Sequence, residues 1–469
     1  MSLQALLSAA AYKKGQAVRS ACVRHRAIGS DPLFLVSWQN GFDPFAPAAI
    51  AFGQAHAPPE LFLISGSREL DIETREFAAA AQRFCDLFES YGAASSATNY
   101  QGRKLEVPVW LPQVVIANSA TLRLLWRIGR RLAGMQHPSV DLAALLRRFA
   151  AHLLWLARHA DLPGQQIVLS CTEFLNAHYV SAMSPLERES LFALDAWIAP
   201  PARMRGFDAA VAAERFSAGP QPKPEDAQTA ARLFAALEGA RKAGPVESGG
   251  EAGAIKELRD FYLGLTEPVW MLLLKTVRRE REFPPAEHLT RRIERDRIAY
   301  GLHLEGIERA VADPRGIRFL ENARAAALRC DELERSAALL EVEEAIDDPL
   351  KMLPRVLSGE AIEGEVLACA VSKTDGATVV LRTEEQCGMP PGLELWWSGA
   401  PVGRGWSIEH IEASGTGSKV TLVQPSRKDP AGCPGLGARA VFSPLHLDDH
   451  LYLKLFLPAH TPWTHRPAA

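Results

Sequence analysis

The spacing of apolar residues changes along the chain, and these changes divide it into regions of different structure. Across residues 1–200, short apolar runs alternate with segments of helical period. Across 254–350 the helical period continues without strand signals, and across 358–445 the period is two. The succession predicts a multi-domain α+β protein with an N-terminal mixed α/β region, a central helical stalk and a C-terminal small β-barrel.

The first region, 1–200, contains strand and helix signals in alternation. Asn118 is a good N-cap residue between a predicted strand and a predicted helix, which makes a βα unit. Ser184 and Glu187 form a capping box, which predicts a helix that ends near Ile198. The predicted strands cover 33–38, 61–65 and 113–117, and the predicted helices include 71–91, 119–132 and 142–156.

The remaining regions follow from turn residues and period. Prolines and a glycine-rich segment make 201–253 a connector with one short helix at about 225–242. Six short runs of period two within 358–445, separated by Gly, Pro, Asp and Ser, predict the strands of the barrel. The last segment, 446–469, is a histidine-rich tail.

Charge and cysteine content exclude several classes of protein. The net charge of −3 does not describe a strongly basic nucleic-acid-binding chain, although local patches remain compatible with it. Seven scattered cysteines, an odd number, indicate free thiols and a reducing compartment. No apolar run reaches the length of about 18 residues that a membrane span needs. We expect a cytoplasmic protein without a membrane partner.

Residues 103–158 carry a local excess of positive charge. This segment has nine basic and two acidic residues, a net charge of +7. Arg123, Arg127, Arg130 and Arg131 fall within about 100° of arc on a helix. Such a stripe can track the phosphates of a nucleic acid, or it can be a solvated face that pairs with carboxylates from elsewhere in the chain.

The predicted barrel contains the adjacent tryptophans Trp396 and Trp397. Because side chains alternate along a strand, one of the two must face outward. An outward tryptophan can stack on an unpaired base, or it can cover the end of the barrel. We name Arg123, Arg127, Arg130, Arg131, Trp396 and Trp397 as candidate nucleic-acid-binding residues.

The order of a charged helical segment, Asp347-Asp348-Pro349, and then a small barrel that opens at Gly359-Glu360-Ala361-Ile362 resembles the stalk-and-barrel insertion of superfamily 1B helicases. The resemblance covers about residues 320–445. It implies a barrel that touches nucleic acid, or a subunit that works beside a separately encoded helicase or ATPase. The chain lacks the G-x-x-x-x-G-K-[ST] loop of such motors, and the segment 415–419 imitates one without a following helix.

Two short strings resemble nuclease motifs. The segment Leu70-Asp71-Ile72-Glu73-Thr74 is similar to the first metal-binding motif of DEDD exonucleases, but it lies where acidic residues favour the start of a helix. Arg297 and His303 match the R-x4-6-H pattern of HEPN ribonucleases, a pattern that chance also produces in an arginine-rich chain.

Two further groups of residues could carry chemistry. Cys171 and His178 lie two helical turns apart and are predicted to be core residues, since no third group orients them. His446, Asp448, Asp449, His450, His460 and His465 have the composition of a metal site but lie in the tail. We therefore predict no cofactor, no metal and no catalytic residue.

Together these patterns predict a non-catalytic bacterial protein that binds nucleic acid, or an accessory protein of a nucleic-acid-processing complex. The alternatives are a nuclease, metal-dependent or HEPN-like, and a scaffold that binds other proteins. The patterns do not separate DNA from RNA, and they do not define an oligomeric state.

Overall fold

A computed structural model of the chain describes residues 3–41, 46–65, 70–135, 137, 139–243, 248–312, 323–372, 376–402, 404–424 and 433–447. It divides into two compact units. The first contains Met1–Ser20, Arg26–Pro285 and Leu289–Glu321, and the second contains Ala21–His25, Ala286–His288 and Asn322–Ala469.

The helices are distributed over both units. Their bounds are α1 (Leu3–Lys14), α2 (Leu70–Glu89), α3 (Ser119–Ala133), α4 (Val140–Ala160), α5 (Cys171–His178), α6 (Leu191–Ile198), α7 (Gly206–Ala213), α8 (Pro224–Ala243), α9 (Ser248–Glu280), α10 (Leu289–Ala312), α11 (Ala323–Asp347) and α12 (Pro349–Ser358). The predicted central helical segment therefore consists of α9 and α10, which lie in the first unit, and α11, which lies in the second.

The strands form one open sheet, two short ribbons and one barrel. Their bounds are β1 (Val18–Arg19), β2 (Leu33–Gln39), β3 (Pro47–Gln54), β4 (Glu60–Leu63), β5 (Ser95–Tyr100), β6 (Arg103–Pro108), β7 (Val114–Ile116), β8 (Val168–Ser170), β9 (Tyr179–Val180), β10 (Ile362–Ser372), β11 (Gly376–Arg382), β12 (Glu394–Trp397), β13 (Trp406–Ser414), β14 (Gly417–Gln424) and β15 (Arg439–Ser443).

The central sheet of the first unit has the order β4-β3-β2-β7-β8. Its first three strands form an antiparallel meander, whereas β7 and β8 run parallel to β2, with Phe34 opposite Val115 and Val115 opposite Leu169. The strands are buried almost continuously because helices cover both faces, so they read as apolar runs rather than as alternating ones.

Two hydrophobic clusters lie on the opposite faces of this sheet. One contains Phe34 and Trp38 of β2 together with residues of α5, α6, α8 and α9. The other contains Leu35 of β2 and residues of α2, α3, α4 and α10. Tyr300 of α10 belongs to the second cluster and donates its hydroxyl to the Phe88 carbonyl at 2.6 Å. The helices α9 and α10 are thus part of the core of this unit.

The strands predicted at 33–38, 61–65 and 113–117 are present as β2, β4 and β7. Asn118 caps α3 as predicted, since its side chain accepts a hydrogen bond from the Thr121 amide. In the central sheet, sequence patterns missed β3, which begins at Pro47 and is rich in alanine, and β8, which has only three residues. They also missed the ribbon strands β1, β5, β6 and β9.

The capping box forms, but the helix it was predicted to open is short. The Ser184 amide donates to the Glu187 carboxylate at 2.6 Å, and the Glu187 amide donates to the Ser184 hydroxyl at 3.3 Å. Only one turn of 3-10 helix follows, and α6 begins separately at Leu191 with Ser190 as its cap.

The second unit contains the predicted barrel. Its strands close in the order β10-β11-β14-β13-β12-β15. Val379, Leu381, Trp406, Val420 and Phe442 are among the residues that fill its interior. The segment 415–419 lies at the hairpin between β13 and β14, so it does not precede a helix. The predicted fold class, mixed α/β followed by helices and a small β-barrel, is confirmed.

Two histidine–aspartate pairs attach the short segments 21–25 and 286–288 to the second unit. His25 Nε2 lies 3.2 Å from Asp348, and His288 Nδ1 lies 2.8 Å from Asp347. The two imidazoles stack with their centroids 5.5 Å apart. Asp348 also caps α12 by accepting the Leu350 amide. These contacts explain how stretches distant in sequence join one unit.

Within the described ranges, no helix combines the length and the apolar composition that a bilayer span requires. Of the histidines and aspartates predicted as a loose metal-binding tail, only His446 lies within the described residues.

Candidate functional site

The helix α3 separates its apolar and its basic residues on two faces. Leu124, Leu125, Ile128 and Leu132 belong to the hydrophobic cluster beneath the sheet. The opposite face carries arginines, because residues three and four apart share one side of a helix. The packing of the apolar face thus decides which arginines reach the solvent.

Arg123, Arg127 and Arg130 are exposed along this face, which we call the α3 arginine face. Seven residues of helix, at a rise of about 1.5 Å each, spread their Cα atoms over about 10 Å along the axis. One strand of a duplex presents phosphates about every 3.4 Å along its axis, so three guanidinium groups at this spacing can contact successive phosphates.

Arg131, the fourth arginine of the predicted stripe, has a different environment. Its Nη2 lies 2.6 Å from Oε1 of Glu73 on α2, whose side chain is only 5% exposed. Arg131 stands at the edge of the stripe nearest the buried face, so its side chain reaches the neighbouring helix. The structure brings Arg123, Arg127 and Arg130 together and places Arg131 in a partly buried ion pair.

Other cations of the segment 103–158 also pair with carboxylates. Arg103 lies 2.7 Å from Glu305, and Lys104 lies 3.4 Å from Glu106. Arg148 contacts Glu89 and Glu308. Part of the positive charge of this segment is thus compensated by carboxylates, of which Glu305, Glu89 and Glu308 lie outside the segment.

Trp396 and Trp397 point to opposite faces of β12, as expected for adjacent strand residues. Trp397 packs against the barrel interior. Trp396 lies against the imidazole of His446, with ring centroids 4.2 Å apart and planes inclined by 20°. Both tryptophans are half-buried. Of the two tryptophans, Trp396 is therefore the one that stacks on an aromatic ring outside the barrel core.

A chain of hydrogen bonds links α2, α4 and α10. The Glu89 carboxylate accepts from Arg148 at 2.5 and 2.9 Å, and its Oε1 lies 2.7 Å from His152 Nε2. His152 Nδ1 lies 2.9 Å from Nε2 of His303, whose ring stacks on Trp155 with centroids 4.4 Å apart. We call these residues the Glu89–His152–His303 network.

The charges of this network follow from burial and hydrogen bonding. Burial by itself would raise the pKa of Glu89, but hydrogen bonds from His152 and Arg148 outweigh it and lower that pKa to about 2. Burial lowers the pKa of His152, against the opposing effect of Glu89, and lowers the pKa of His303 well below its usual value. At neutral pH the network holds a carboxylate, a guanidinium and two neutral imidazoles.

Cys85, Glu89 and His152 are the described residues whose ligand atoms come close enough to hold a metal, all within 4.8 Å of one another. Burial raises the pKa of the Cys85 thiol to about 12. Glu89 already holds the Arg148 guanidinium with both oxygens. The network therefore has the features of a structural element rather than of a metal centre.

Arg297 and His303, the HEPN-like pair, have different partners. Arg297 Nε donates to the Pro108 carbonyl at 2.5 Å, and its Nη1 lies 2.7 Å from Glu294. His303 belongs to the network with His152. The Glu73 of the DEDD-like string pairs with Arg131. Arg297, His303 and Glu73 each contact a partner that does not belong to the nuclease-like string.

Cys171 and His178 are buried core residues, as predicted. The sequence did not reveal their neighbour Glu280, which is 102 residues from His178 and lies 2.5 Å from its Nδ1. Burial, together with the charge of Glu280, raises the pKa of the Cys171 thiol far above its usual value, so this thiol is no nucleophile at neutral pH.

Comparison of the chain with protein-family models, with curated proteins and with solved structures found no match.

Proposed function

We propose that the chain is a nucleic-acid-binding protein that contacts phosphates through the α3 arginine face and acts as a non-catalytic or accessory component. The observation that carries the proposal is the exposure of Arg123, Arg127 and Arg130 on one face of a helix anchored in the core. Exposed guanidinium groups in a row favour phosphate contacts, because arginine matches the geometry of a phosphate.

The non-catalytic part of the proposal rests on the two nuclease-like strings. Glu73 and Arg297 are both committed to ion pairs, and His303 is held by His152 and Trp155. A catalytic role for these residues would require each of them to leave its present partner.

The barrel supports a second contact in this proposal. The Trp396 ring already stacks on the His446 imidazole, and in this proposal the planar ring of an unpaired base replaces that imidazole. The helicase-like order of helical segment and barrel favours a partner motor, which remains part of the proposal.

The test is fluorescence anisotropy of the full chain with labelled single- and double-stranded DNA and RNA over a salt series. Three phosphate contacts predict a slope of log K against log salt of about −2.7 for a duplex. In the double variant Arg123→Gln/Arg127→Gln we expect the slope to become shallower by about 1.8.

The control is Arg232→Gln. Arg232 is an exposed arginine of α8, a helix that packs on the opposite face of the sheet from α3. The proposal requires that this variant bind as the wild type does. Absence of binding by the wild type at low salt would contradict nucleic-acid binding and leave the scaffold as the better interpretation. Equal slopes in wild type and double variant would remove the α3 arginine face from the binding site.

A further inference from the structure

A cavity of about 350 Å³ lies in the first unit and shares no residue with the α3 arginine face. It is formed where the end of α1, the strands β1 and β9, the end of α6 and the end of α9 meet. The lining residues are Lys14, Gln16, Ala17, Arg19, Tyr179, Ile198, Ala199 and Arg279.

Hydrogen bonds to the main chain hold the walls of this cavity. Arg19 of β1 is opposite Tyr179 of β9 in an antiparallel pair. The Ala17 amide donates to the Trp197 carbonyl at 2.9 Å, and the Gln16 side chain donates to the Ile198 carbonyl at 3.0 Å. The cationic side chains are therefore presented by a fixed framework rather than by a free loop.

The lining is strongly basic. Lys14, Arg19 and Arg279 contribute three positive charges, and no carboxylate is among the described residues that line the cavity. Two carboxylates act on the lining without belonging to it. Asp195 lies 2.6 Å from Nη2 of Arg279 and 2.7 Å from Lys275, and the charge of Glu280 acts on Tyr179. With Lys275 included, four cations stand against these two carboxylates, so the balance at the cavity is positive.

The guanidinium of Arg279, a lining residue, is held in place beside the cavity. Its Nη1 is buried and has no hydrogen-bond partner among the described residues. The bond between Nη2 and Asp195 fixes the guanidinium plane. Because Nη1 has almost no accessible surface, Arg279 acts on an anion in the cavity through the charge of its guanidinium rather than through this nitrogen.

Two more groups complete the set of donors. The guanidinium of Arg19 lies 4.4 Å from the centroid of the Phe283 ring, a cation–π contact that limits its movement. Burial, assisted by the charge of Glu280, raises the pKa of Tyr179 to about 12, so its phenol keeps its proton and can donate. The cavity thus presents N–H and O–H donors.

We propose that this cavity binds the phosphate group of a phosphate monoester. Guanidinium groups, an ammonium group and a phenol match the charge and the acceptor oxygens of a phosphate dianion. The volume is at the lower end of the range of small-molecule sites, about 300 to 1,000 Å³. The phosphate can belong to a small molecule or to the end of a polynucleotide, and both sources present the same chemistry.

The experiment is isothermal titration of the full chain with inorganic phosphate, with adenosine 5′-monophosphate against adenosine, and with a 5′-phosphorylated against an unphosphorylated hexanucleotide, all at constant ionic strength. We expect binding of each phosphorylated probe and at least tenfold weaker binding of its unphosphorylated counterpart. Tighter binding of the hexanucleotide than of the monophosphate would indicate a polynucleotide end, and the reverse order would indicate a small molecule.

The variants Arg19→Gln and Arg279→Gln should each weaken binding of the monophosphate at least tenfold. Lys13→Gln is the matched control, because Lys13 neighbours Lys14 on α1 but does not line the cavity. Arg279→Gln also removes the ion pair with Asp195 and with it a contact that stabilises the fold. Arg19→Gln leaves that pair intact, so it tests the cavity even where the Arg279 variant unfolds. Equal binding by wild type and Arg19→Gln, or no preference for phosphorylated probes, would overturn the proposal.

This inference does not depend on the α3 arginine face. The double variant Arg123→Gln/Arg127→Gln should bind the monophosphate like the wild type. Arg19→Gln should bind an unphosphorylated duplex with the same salt dependence as the wild type, because the α3 arginine face is intact in this variant. The two sets of variants therefore show separately whether the phosphate site or the α3 arginine face fails its test.

Discussion

Arg131 and Glu73 form an ion pair with 2.6 Å between Nη2 and Oε1, and this pair joins α3 to α2. The Arg131 side chain is 32% exposed and that of Glu73 is 5% exposed. Arg127, one turn before Arg131, and the adjacent Arg130 are exposed to solvent. Arginines that look equivalent in the sequence therefore divide between an ion pair within the fold and exposure to solvent.

This division predicts different effects on stability. Arg131→Gln should lower the free energy of unfolding by about 1–3 kcal/mol, because it weakens the compensation of a nearly buried carboxylate. Arg127→Gln should change it by no more than about 0.5 kcal/mol, as is usual for surface positions. Urea unfolding followed by circular dichroism measures both. Equal effects of the two substitutions would contradict the assignment of Arg131 to the fold.

Substitutions of Trp396 and of His446 should have opposite effects on the binding of single-stranded nucleic acid. Trp396→Ala removes the stacking platform and should weaken binding by about 1–3 kcal/mol. His446→Ala uncovers the ring and should leave binding unchanged or tighten it. Anisotropy with a labelled oligonucleotide distinguishes the two variants. Weaker binding by His446→Ala with no effect of Trp396→Ala would contradict a base-stacking role for Trp396.

The Glu89–His152–His303 network predicts lower stability in mild acid. The pKa values of His152 and His303 are lowered in the fold, so the unfolded chain takes up protons first as the pH falls below about 6.5. Stability is then fully present above this pH and falls by about 1.4 kcal/mol per pH unit for each proton that only the unfolded chain binds. The lowered pKa of Glu89 acts in the same direction below about pH 4.3.

The measurement is urea unfolding between pH 7 and pH 5. His303→Gln should reduce the slope of stability against pH, since it removes one of the two titrating imidazoles. The exposed His410 of the barrel provides the control substitution His410→Gln, which leaves the network intact. An unchanged slope in His303→Gln would show that the network does not govern the acid response.

A hydrogen bond between Trp38 of β2 and Thr266 joins α9 to the central sheet, and a substitution of Thr266 measures its contribution to stability. The buried Trp38 indole donates to the Thr266 hydroxyl at 2.9 Å, and that hydroxyl donates to the Tyr262 carbonyl at 2.7 Å. Thr266→Val keeps the shape but leaves the indole N–H without an acceptor, which should cost about 1–3 kcal/mol.

Thr229→Val on α8 is the matched control for this prediction. The Thr229 hydroxyl also donates to a carbonyl one turn earlier, that of Glu225, but it holds no buried donor. We expect its loss to cost less than about 0.5 kcal/mol. Chemical denaturation measures both variants, and similar costs would contradict a special role for the Trp38 contact.

Local patterns predicted much of the architecture. Period-two runs separated by turn residues predicted the six strands of the barrel, because a strand shows its alternation within a few residues. The N-cap at Asn118 and the period of 71–91 predicted α3 and α2 for the same reason. By contrast, β3 and β8 were missed because alanine-rich or three-residue strands carry no alternation.

The pairing of charged side chains was decided by the tertiary structure. The sequence by itself determined that α3 carries a row of arginines and that the barrel carries adjacent tryptophans. It did not determine that Arg131 reaches Glu73, that Arg148 reaches Glu89, or that Lys14, Arg19 and Arg279 meet around one cavity. These contacts join residues tens to hundreds of positions apart, and electrostatic interaction depends on distance in space and on burial rather than on separation along the chain.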